Sequence, residues 1–215
     1  VGRVVDALDA TGQRGDTVVF FTSDNGPQVN WGGGAYPSDL RLTDFNQPTP
    51  FRGKKQDVWE GGVRVPGFVS WPGTVASKTI DTPLHVVDWL PTIADVARAG
   101  LRAGTEPSKT DTQPAFDGHS FASQLIDADP DERPTRTIYL THHPKTNKWA
   151  VRRGDWKVVH YGKREPTADL WKLYNLASDP AESIDVASEY PDRVSELHRL
   201  FVAERAKDKA GPNFP

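Results

Sequence analysis

The 215-residue sequence contains no cysteine, which excludes disulfide bonds, thiolate metal ligands and cysteine nucleophiles within it. No apolar run approaches the roughly 20 residues that a membrane-spanning helix needs, so we expect no membrane span. The net charge of −3 gives no reason to expect nucleic acid or an anionic membrane as a partner. What remains, 36% hydrophobic and 26% charged residues, is the composition of an ordinary globular protein.

Methionine is also absent, and the chain begins at Val1 without a recognisable targeting segment. We therefore expect these residues to be part of a longer polypeptide. The length is nevertheless ample for a hydrophobic core.

The stretch from Thr17 to Asn25 is an apolar run that stops at an acid and an amide. Residues 18–21 are Val-Val-Phe-Phe without polar alternation, which predicts a buried strand in a mostly parallel sheet. Ligands of such sheets bind beyond the carboxyl ends of the strands, where Asp24 and Asn25 stand. A carboxylate beside an amide carbonyl is the oxygen pair that Ca²⁺ or Mg²⁺ prefers. Taken alone, the same residues also fit an Asx turn that closes a loop.

Local patterns on either side of this strand predict an α/β domain over residues 1–101. A helix ends at Gly12, and Phe68 begins another short strand. Asp88 is the expected N-cap of a second helix, which stops at Gly100. The buried stripe of that second helix is predicted to comprise Leu90, Ile93, Ala94 and Ala97.

The remainder of the chain is predicted to form a connecting segment and a smaller subdomain. Residues 102–136 read as a linker, rich in Thr, Pro, Lys and Asp over 102–115, followed by a short helix over Ser120–Ile126. Over residues 137–215, closely spaced short strands predict an antiparallel sheet. A terminal helix over about Arg193–Lys207 carries apolar residues at the spacing needed to pack on that sheet, namely Val194, Leu197, Leu200 and Phe201.

Several motifs follow one another in a fixed order. The first three are Ser23-Asp-Asn-Gly-Pro27, Arg52-Gly-Lys-Lys and Trp59-Glu-Gly-Gly-Val-Arg64. The order continues through Asp88-Trp-Leu-Pro-Thr92, Phe116-Asp-Gly-His-Ser120, Ala150-Val-Arg-Arg-Gly-Asp-Trp-Lys157 and Leu173-Tyr-Asn-Leu-Ala-Ser-Asp-Pro-Ala-Glu182. In this order the chain resembles the C-terminal portion of a type I sulfatase of the alkaline-phosphatase-like superfamily. Within that family it most resembles the arylsulfatase B group, the N-acetylgalactosamine-4-sulfatases.

The resemblance implies a fold and a set of site residues. The fold is the C-terminal part of the sulfatase α/β sheet with flanking helices, followed by a small antiparallel sheet packed by a C-terminal helix. Asp24 and Asn25 match two metal ligands of the family, which hold one Ca²⁺ together with two aspartates from the N-terminal part. Lys55 matches the lysine that contacts the sulfate ester, and it is the expected catalytic and substrate-binding residue of this chain. A divalent cation and an ammonium group both stabilise charge in sulfuryl transfer.

Other polar residues near these motifs have weaker or alternative interpretations. Lys54 is expected to be a solvated surface lysine, and Glu60 and Arg64 are expected to order the loop through hydrogen bonds. His142 and His143 follow a predicted strand where the C-terminal subdomain of sulfatases often faces the pocket, and they are candidate substrate-binding residues. A surface turn explains the two histidines equally well.

The sequence also departs from the family pattern. The family's nucleophile is a formylglycine within a Cys/Ser-x-Pro-x-Arg motif, and neither that motif nor the first two metal aspartates occurs here. We therefore expect the missing N-terminal half of the polypeptide to supply them, and the 215 residues alone to be inactive. Two other readings stay open: a phosphonate or phosphodiester hydrolase of the same superfamily, and a non-catalytic carbohydrate-binding pseudoenzyme module. By resemblance, a sulfatase of this group acts on sulfated carbohydrate in a secreted, periplasmic or lysosomal setting.

Overall fold

The computed structural model describes residues 1–27, 50–101, 117–126, 135–142, 147–162 and 164–210. Five helices in this part of the chain are α1 (Gly2–Ala10), α2 (Glu60–Val63), α3 (Trp89–Leu101), α4 (Ala122–Ile126) and α5 (Pro191–Ala210). Its six strands are β1 (Val19–Thr22), β2 (Gly67–Ser70), β3 (Thr137–His142), β4 (Lys148–Arg153), β5 (Trp156–Tyr161) and β6 (Lys172–Asn175). The predicted linker over 102–115 lies outside the described residues.

The chain divides into two compact units. The first unit comprises Val1–Phe21 and Gly67–Pro134, and the second comprises Thr22–Pro66 and Thr135–Pro215. A discontinuous partition of this kind means that the described residues 22–27 and 50–66 pack with the C-terminal strands. None of the helices within the described ranges is long and apolar enough to cross a membrane.

In the first unit, helix α1 ends where the sequence predicts. The Gly12 amide donates to the carbonyl of Asp9 and the Gln13 amide to that of Leu8, with Gly12 at a φ of 68°. These two bonds form a Schellman motif, which satisfies carbonyl groups that the last helical turn leaves without partners.

Strand β1 exists as predicted, but its surroundings differ from the prediction. It pairs with β2 in a two-stranded antiparallel sheet, and Val19, Phe20 and Phe21 are half-buried instead of being covered on both faces. Phe20 packs edge-on against Trp89, and Phe21 stacks on Phe68 at 4.9 Å between ring centroids. Within the residues described, the apolar run thus contributes aromatic contacts to β2 and α3.

Helix α3 begins differently from the prediction. His85, not Asp88, is the N-cap, and it opens a 3-10 turn over Val86–Asp88 that leads directly into the helix. The buried Asp88 carboxylate accepts from the amides of His85 at 2.8 Å and His119 at 2.9 Å. Asp88 thus links the helix start to the segment that precedes α4.

The buried face of α3 is also not the predicted one. Leu90 is 60% exposed and Ile93 43% exposed, whereas Pro91, Thr92 and Val96 are buried. The Thr92 hydroxyl donates to the Asp88 carbonyl and accepts from the Phe121 amide. Because α4 and its preceding turn dock on the Thr92 side of the helix, the apolar residues of the predicted stripe lie away from that contact.

The second unit confirms the predicted antiparallel sheet. Its strand order is β3-β4-β5-β6, and every neighbouring pair is antiparallel. One face packs against α5, as predicted, through a buried cluster of Trp149, Val151, Val158, Trp171, Leu173, Val194, Leu197 and Phe201. The opposite face packs against the segment that precedes and begins α2, through Val58, Trp59, Ala150, Val159, Tyr174 and Leu176. The sheet is therefore the middle layer of the unit.

The α5 contact yields a prediction for stability. Phe201 is 2% exposed and lies 5.1 Å, centroid to centroid, from the Trp171 ring, whereas the adjacent Val202 is 52% exposed. We expect Phe201→Ala to lower the free energy of unfolding by about 3–5 kcal/mol through loss of burial and formation of a cavity. Val202→Ala is expected to change it by less than about 0.5 kcal/mol. Chemical denaturation of the two variants checks this, and equal destabilisation would show that α5 does not pack as described.

Candidate functional site

A buried ion network fixes the Trp59-Glu-Gly-Gly motif to the C-terminal sheet. Lys157 of β5 has no solvent exposure, and its Nζ lies 2.8 Å from Glu60 Oε1 and 2.9 Å from Glu182 Oε1. The Glu60 amide donates to Glu182 Oε2 at 2.6 Å, and Arg152 of β4 lies 3.3 Å from Glu60 Oε2. Buried charges are tolerated when they are paired and hydrogen-bonded in this way. Glu60 orders the segment, as the sequence interpretation proposed.

Aromatic stacking reinforces the same attachment. The Trp59 ring stacks on Tyr161 at 5.3 Å and meets Tyr174 edge-on at 5.4 Å. The Arg52 guanidinium lies 3.9 Å from the Trp59 ring centroid, in the range of a cation–π contact, and it donates to the Glu182 carbonyl. Arg64, by contrast, is exposed and lies over the Phe51 ring.

The glycine pair of α2 permits a close approach between segments that are distant in sequence. Gly26 donates its amide to the Gly62 carbonyl at 2.9 Å, and a Cβ on Gly26 would overlap the Gly61 carbonyl oxygen. The Lys55 amide donates to the Pro27 carbonyl at 3.0 Å. These two backbone bonds hold the Asp24–Asn25 loop beside the segment that carries Lys55. Only glycine leaves room for a contact this close.

The two predicted metal ligands have the chemistry that a Ca²⁺ site requires. Asp24 is exposed, and within the described residues its carboxylate has no hydrogen-bond or ion-pair partner. The Asn25 side-chain amide donates to the Gly26 carbonyl at 2.9 Å, which fixes the side chain while its oxygen remains available. Ca²⁺ takes six to eight oxygen ligands, and the described residues contain no group of three or more acidic or histidine side chains that could complete a site. The donor set fits part of a Ca²⁺ shell.

Lys55 lies in a tight turn that the C-terminal sheet supports. The Asp57 amide donates to the Lys54 carbonyl at 2.9 Å, and the Lys54 amide donates to Asp57 Oδ2 at 3.2 Å. The Lys55 side chain is half-buried and that of Lys54 is exposed, which agrees with the surface role expected for Lys54. Asp57 in turn accepts from Lys148 Nζ at 2.8 Å and from the Tyr161 hydroxyl at 3.2 Å.

The histidine candidates divide between described and undescribed positions. His142 is the last residue of β3 and pairs with Lys148 across the ladder, which in turn pairs with Tyr161. Directly opposed residues share a face of the sheet, so His142 lies on the face that supports the Lys55 turn. His143 lies outside the described residues. Elsewhere, His160 stacks on Trp149, and His198 accepts from the Trp171 indole, as expected of structural histidines.

Four supporting residues were not identified as functional from the sequence: Lys148, Lys157, Tyr161 and Glu182. Lys157 and Glu182 lie within motifs that define the family order, but nothing local indicates that they meet Glu60. A usable signal existed for Lys157, since it interrupts the apolar run Trp156-Lys-Val-Val at a position where the β5 alternation faces the core. Glu182 has a φ of 54°, a conformation that is uncommon outside glycine and that the sequence does not reveal.

Burial and neighbouring charges shift the pKa values of Asp57, Glu182 and Tyr161. Burial opposes ionisation of Asp57, but the hydrogen bond and charge of Lys148 outweigh it, so the pKa of Asp57 lies below its ordinary value. Burial raises the pKa of the Glu182 carboxyl, although the Lys157 charge acts in the opposite direction. Burial likewise raises the pKa of Tyr161, whose hydroxyl therefore stays protonated and remains a donor to Asp57.

Removal of the buried cation should be costly. We expect Lys157→Met to lower the free energy of unfolding by about 3–5 kcal/mol, because Glu60 and Glu182 would then be buried side by side without the cation between them. Lys172→Met, at the exposed first residue of β6, is the matched control and should change stability by less than about 0.5 kcal/mol. Denaturant titration at pH 7 compares the two variants. An unchanged free energy of unfolding in Lys157→Met would contradict the network.

The lowered pKa of Asp57 predicts a pH dependence of stability. Its folded-state pKa lies below the value of about 3.9 for a free aspartate, so its stabilising contribution is present above about pH 4 and is lost as the pH falls through the folded pKa. The advantage of the wild type over Asp57→Asn should therefore be constant at neutral pH and shrink below about pH 4. Unfolding curves across this range test it, with exposed Asp6→Asn as control; an advantage over Asp57→Asn that persists at acid pH refutes the assignment.

The chain resembles known sulfatases over nearly its whole length. Residues 1–99 match the family model described as Sulfatase. The chain is 26% identical to N-acetylgalactosamine-6-O-sulfatase of Bacteroides thetaiotaomicron over 96% of this chain and 40% of that protein. It is 33% identical to steryl-sulfatase of Mus musculus over 75% of this chain and 24% of that protein. The chain thus spans less than half the length of these curated relatives.

Solved structures agree with the fold. A structure from Bacteroides thetaiotaomicron, described under the metabolism of multiple glycosaminoglycans, has a TM-score of 0.70 at 24% identity and covers 95% of this chain and 42% of that one. The crystal structure of Ps i-CgsB in complex with k-i-k-neocarrahexaose has a TM-score of 0.66 at 25% identity, with coverage of 94% and 39%. Together with the family match over residues 1–99, these similarities support the assignment of the chain to the type I sulfatase superfamily.

Proposed function

We propose that the full-length protein hydrolyses sulfate esters of carbohydrates and that this chain supplies Asp24, Asn25 and Lys55 to the active site. The observation that carries the proposal is the pair of backbone hydrogen bonds from Gly26 to Gly62 and from Lys55 to Pro27. These bonds bring two oxygen ligands and a cationic side chain into one substructure, although the motifs lie about thirty residues apart in the sequence.

Each residue has a role that follows from its chemistry. Asp24 and Asn25 would hold part of a Ca²⁺ shell, and sulfatases typically bind a metal ion. The bound cation would stabilise negative charge on the sulfate oxygens. Lys55 would place its ammonium on the sulfate or on the leaving oxygen, where charge develops as the S–O bond breaks. His142 and His143 would contact the sugar.

The substrate class is proposed from the relatives. One relative is named an N-acetylgalactosamine-6-O-sulfatase, and one solved neighbour is a complex with k-i-k-neocarrahexaose. The first name supports a sulfated saccharide for this protein, and the second supports an oligosaccharide ligand. The motif-based assignment to N-acetylgalactosamine-4-sulfatases remains a proposal beside the 6-O position that the relative's name indicates. We propose the secreted, periplasmic or lysosomal setting on the same grounds.

The nucleophile is proposed to lie outside these residues, because the sequence contains no Cys/Ser-x-Pro-x-Arg motif. Residues 1–215 alone should therefore not turn over sulfate esters. A phosphonate or phosphodiester hydrolase and a non-catalytic carbohydrate-binding pseudoenzyme module remain the rival functions. Activity of the full-length protein on matched aryl sulfate and aryl phosphate substrates separates all three.

The central test substitutes two neighbouring lysines in the full-length protein. We expect Lys55→Ala to lower kcat for an aryl sulfate by about 100- to 1,000-fold, because the Lys55 ammonium would no longer stabilise the negative charge that develops in the transition state. Lys54→Ala, one residue away and exposed, should leave kcat within about twofold. Equal effects of the two substitutions would remove Lys55 from the mechanism.

A second test separates the metal ligand from the lysine. Asp24→Ala should lose Ca²⁺ affinity and activity together, whereas Lys55→Ala should lose activity and keep Ca²⁺ affinity. Calorimetric titration with Ca²⁺, followed by the activity assay on the same samples, measures both. Unchanged Ca²⁺ affinity in Asp24→Ala would show that residues 24 and 25 form an ordinary turn and do not bind the metal.

A further inference from the structure

The turn that carries Lys55 contains a strained residue. Gln56, immediately after Lys55, has a φ of 75° although it is not glycine. A left-handed conformation is unfavourable for a non-glycine residue, and it persists only where the surroundings impose it. The Asp57 amide, which belongs to the Gln56–Asp57 peptide, donates to the Lys54 carbonyl, but the hydrogen bonds between Lys54 and Asp57 do not involve the Gln56 carbonyl of that peptide.

Lys148 of β4 binds the Gln56 carbonyl from outside the turn. Its Nζ donates to the Gln56 carbonyl at 2.8 Å and to Asp57 Oδ1 at 2.8 Å. One ammonium group therefore binds both the strained peptide and the carboxylate that closes the turn. Lys148 is only 20% exposed in its side chain, which strengthens these charge-assisted bonds relative to those of a solvated lysine.

Tyr161 completes the restraint from β5. Its hydroxyl donates to Asp57 Oδ1 at 3.2 Å and accepts from the Val58 amide at 3.2 Å. Lys148 and Tyr161 are directly opposed in the β4–β5 ladder, with the Lys148 ammonium 5.1 Å from the Tyr161 ring centroid. Two adjacent positions of a rigid sheet thus fix the turn on both sides of Asp57.

We propose that Lys148 is a positioning residue for Lys55, acting through the Gln56 peptide, with Tyr161 as its auxiliary. The inference rests on the proposed function of Lys55. Rotation of the Gln56 peptide would redirect the backbone of Lys55, whose amide is bonded to Pro27 beside the predicted metal ligands. Lys148 holds that peptide in the conformation that aims the Lys55 ammonium at the substrate. Displacements of about 1 Å near a reacting group cost up to roughly 100-fold in rate.

The test compares four variants of the full-length protein with the wild type on an aryl sulfate, at a temperature where all are folded by circular dichroism. Lys148→Ala should lower kcat by about 10- to 100-fold with little change in KM. Lys148→Arg, which keeps donors for both acceptors, should restore most of kcat. Lys172→Ala, an exposed lysine on β6 of the same sheet, should match the wild type. Tyr161→Phe should show a smaller loss in the same direction as Lys148→Ala.

Failure of the positioning role of Lys148 can be distinguished from failure of the function proposed for Lys55. If Lys55→Ala keeps wild-type activity, the function assigned to Lys55 fails and the positioning role falls with it. If Lys55→Ala is impaired but Lys148→Ala keeps kcat within twofold, only the positioning role is overturned. A Lys148→Ala effect confined to KM would also overturn it, because that result indicates direct contact with substrate. Partial recovery of kcat in Lys148→Arg supports positioning, because all variants are compared in the folded state and Arg restores donors to the Gln56 carbonyl and to Asp57 Oδ1.

Discussion

The buried Lys157 ammonium between Glu60 and Glu182 is the interaction on which the second unit depends. A lysine with no solvent exposure is unfavourable unless its charge is neutralised. Here the two carboxylates come from segments 97 and 25 residues away in the sequence. The need to pair this charge therefore selects one arrangement of three distant segments. Trp59 and Val58 then cover the sheet beside the network, so that burial of apolar surface and pairing of charge favour the same placement.

From this anchor the candidate site is assembled by backbone contacts. The anchored α2 presents its glycine pair to Gly26, and the Lys55 amide reaches Pro27. Both contacts involve main-chain atoms, whose positions are less variable than those of long side chains. The exposed Asp24 carboxylate and the half-buried Lys55 thus belong to loops whose backbones are fixed from behind. An arrangement of this kind suits a site that must hold charge on a ligand without reorganising.

The sequence predicted the parts of this arrangement that depend on local patterns. The strands of the C-terminal sheet, the α5 stripe and the end of α1 before Gly12 are set by spacing and by glycine chemistry within a few residues. Helix α3 shows where local patterns are insufficient: a 3-10 entry capped by His85 and docking through Thr92 bury a different face from the one its apolar residues suggest. Glu60 could be interpreted as a loop-ordering residue, but its partners could not be identified, because ion pairs across about 90–120 residues leave no periodic signal. The strained Gln56 peptide and its Lys148 restraint were likewise not predictable from local sequence.

The Asp24–Asn25 loop, which we propose holds Ca²⁺, takes its position from the anchored glycine pair, and Gly26→Ala tests this dependence most directly. A Cβ at Gly26 would overlap the Gly61 carbonyl, whereas one at Gly15 meets no atom within 4 Å. Calorimetric titration of the full-length protein with Ca²⁺, under conditions where both variants are folded, should show that Gly26→Ala binds Ca²⁺ at least about 10-fold more weakly than the wild type. Gly15→Ala should bind Ca²⁺ like the wild type. Wild-type Ca²⁺ affinity in Gly26→Ala would contradict the account.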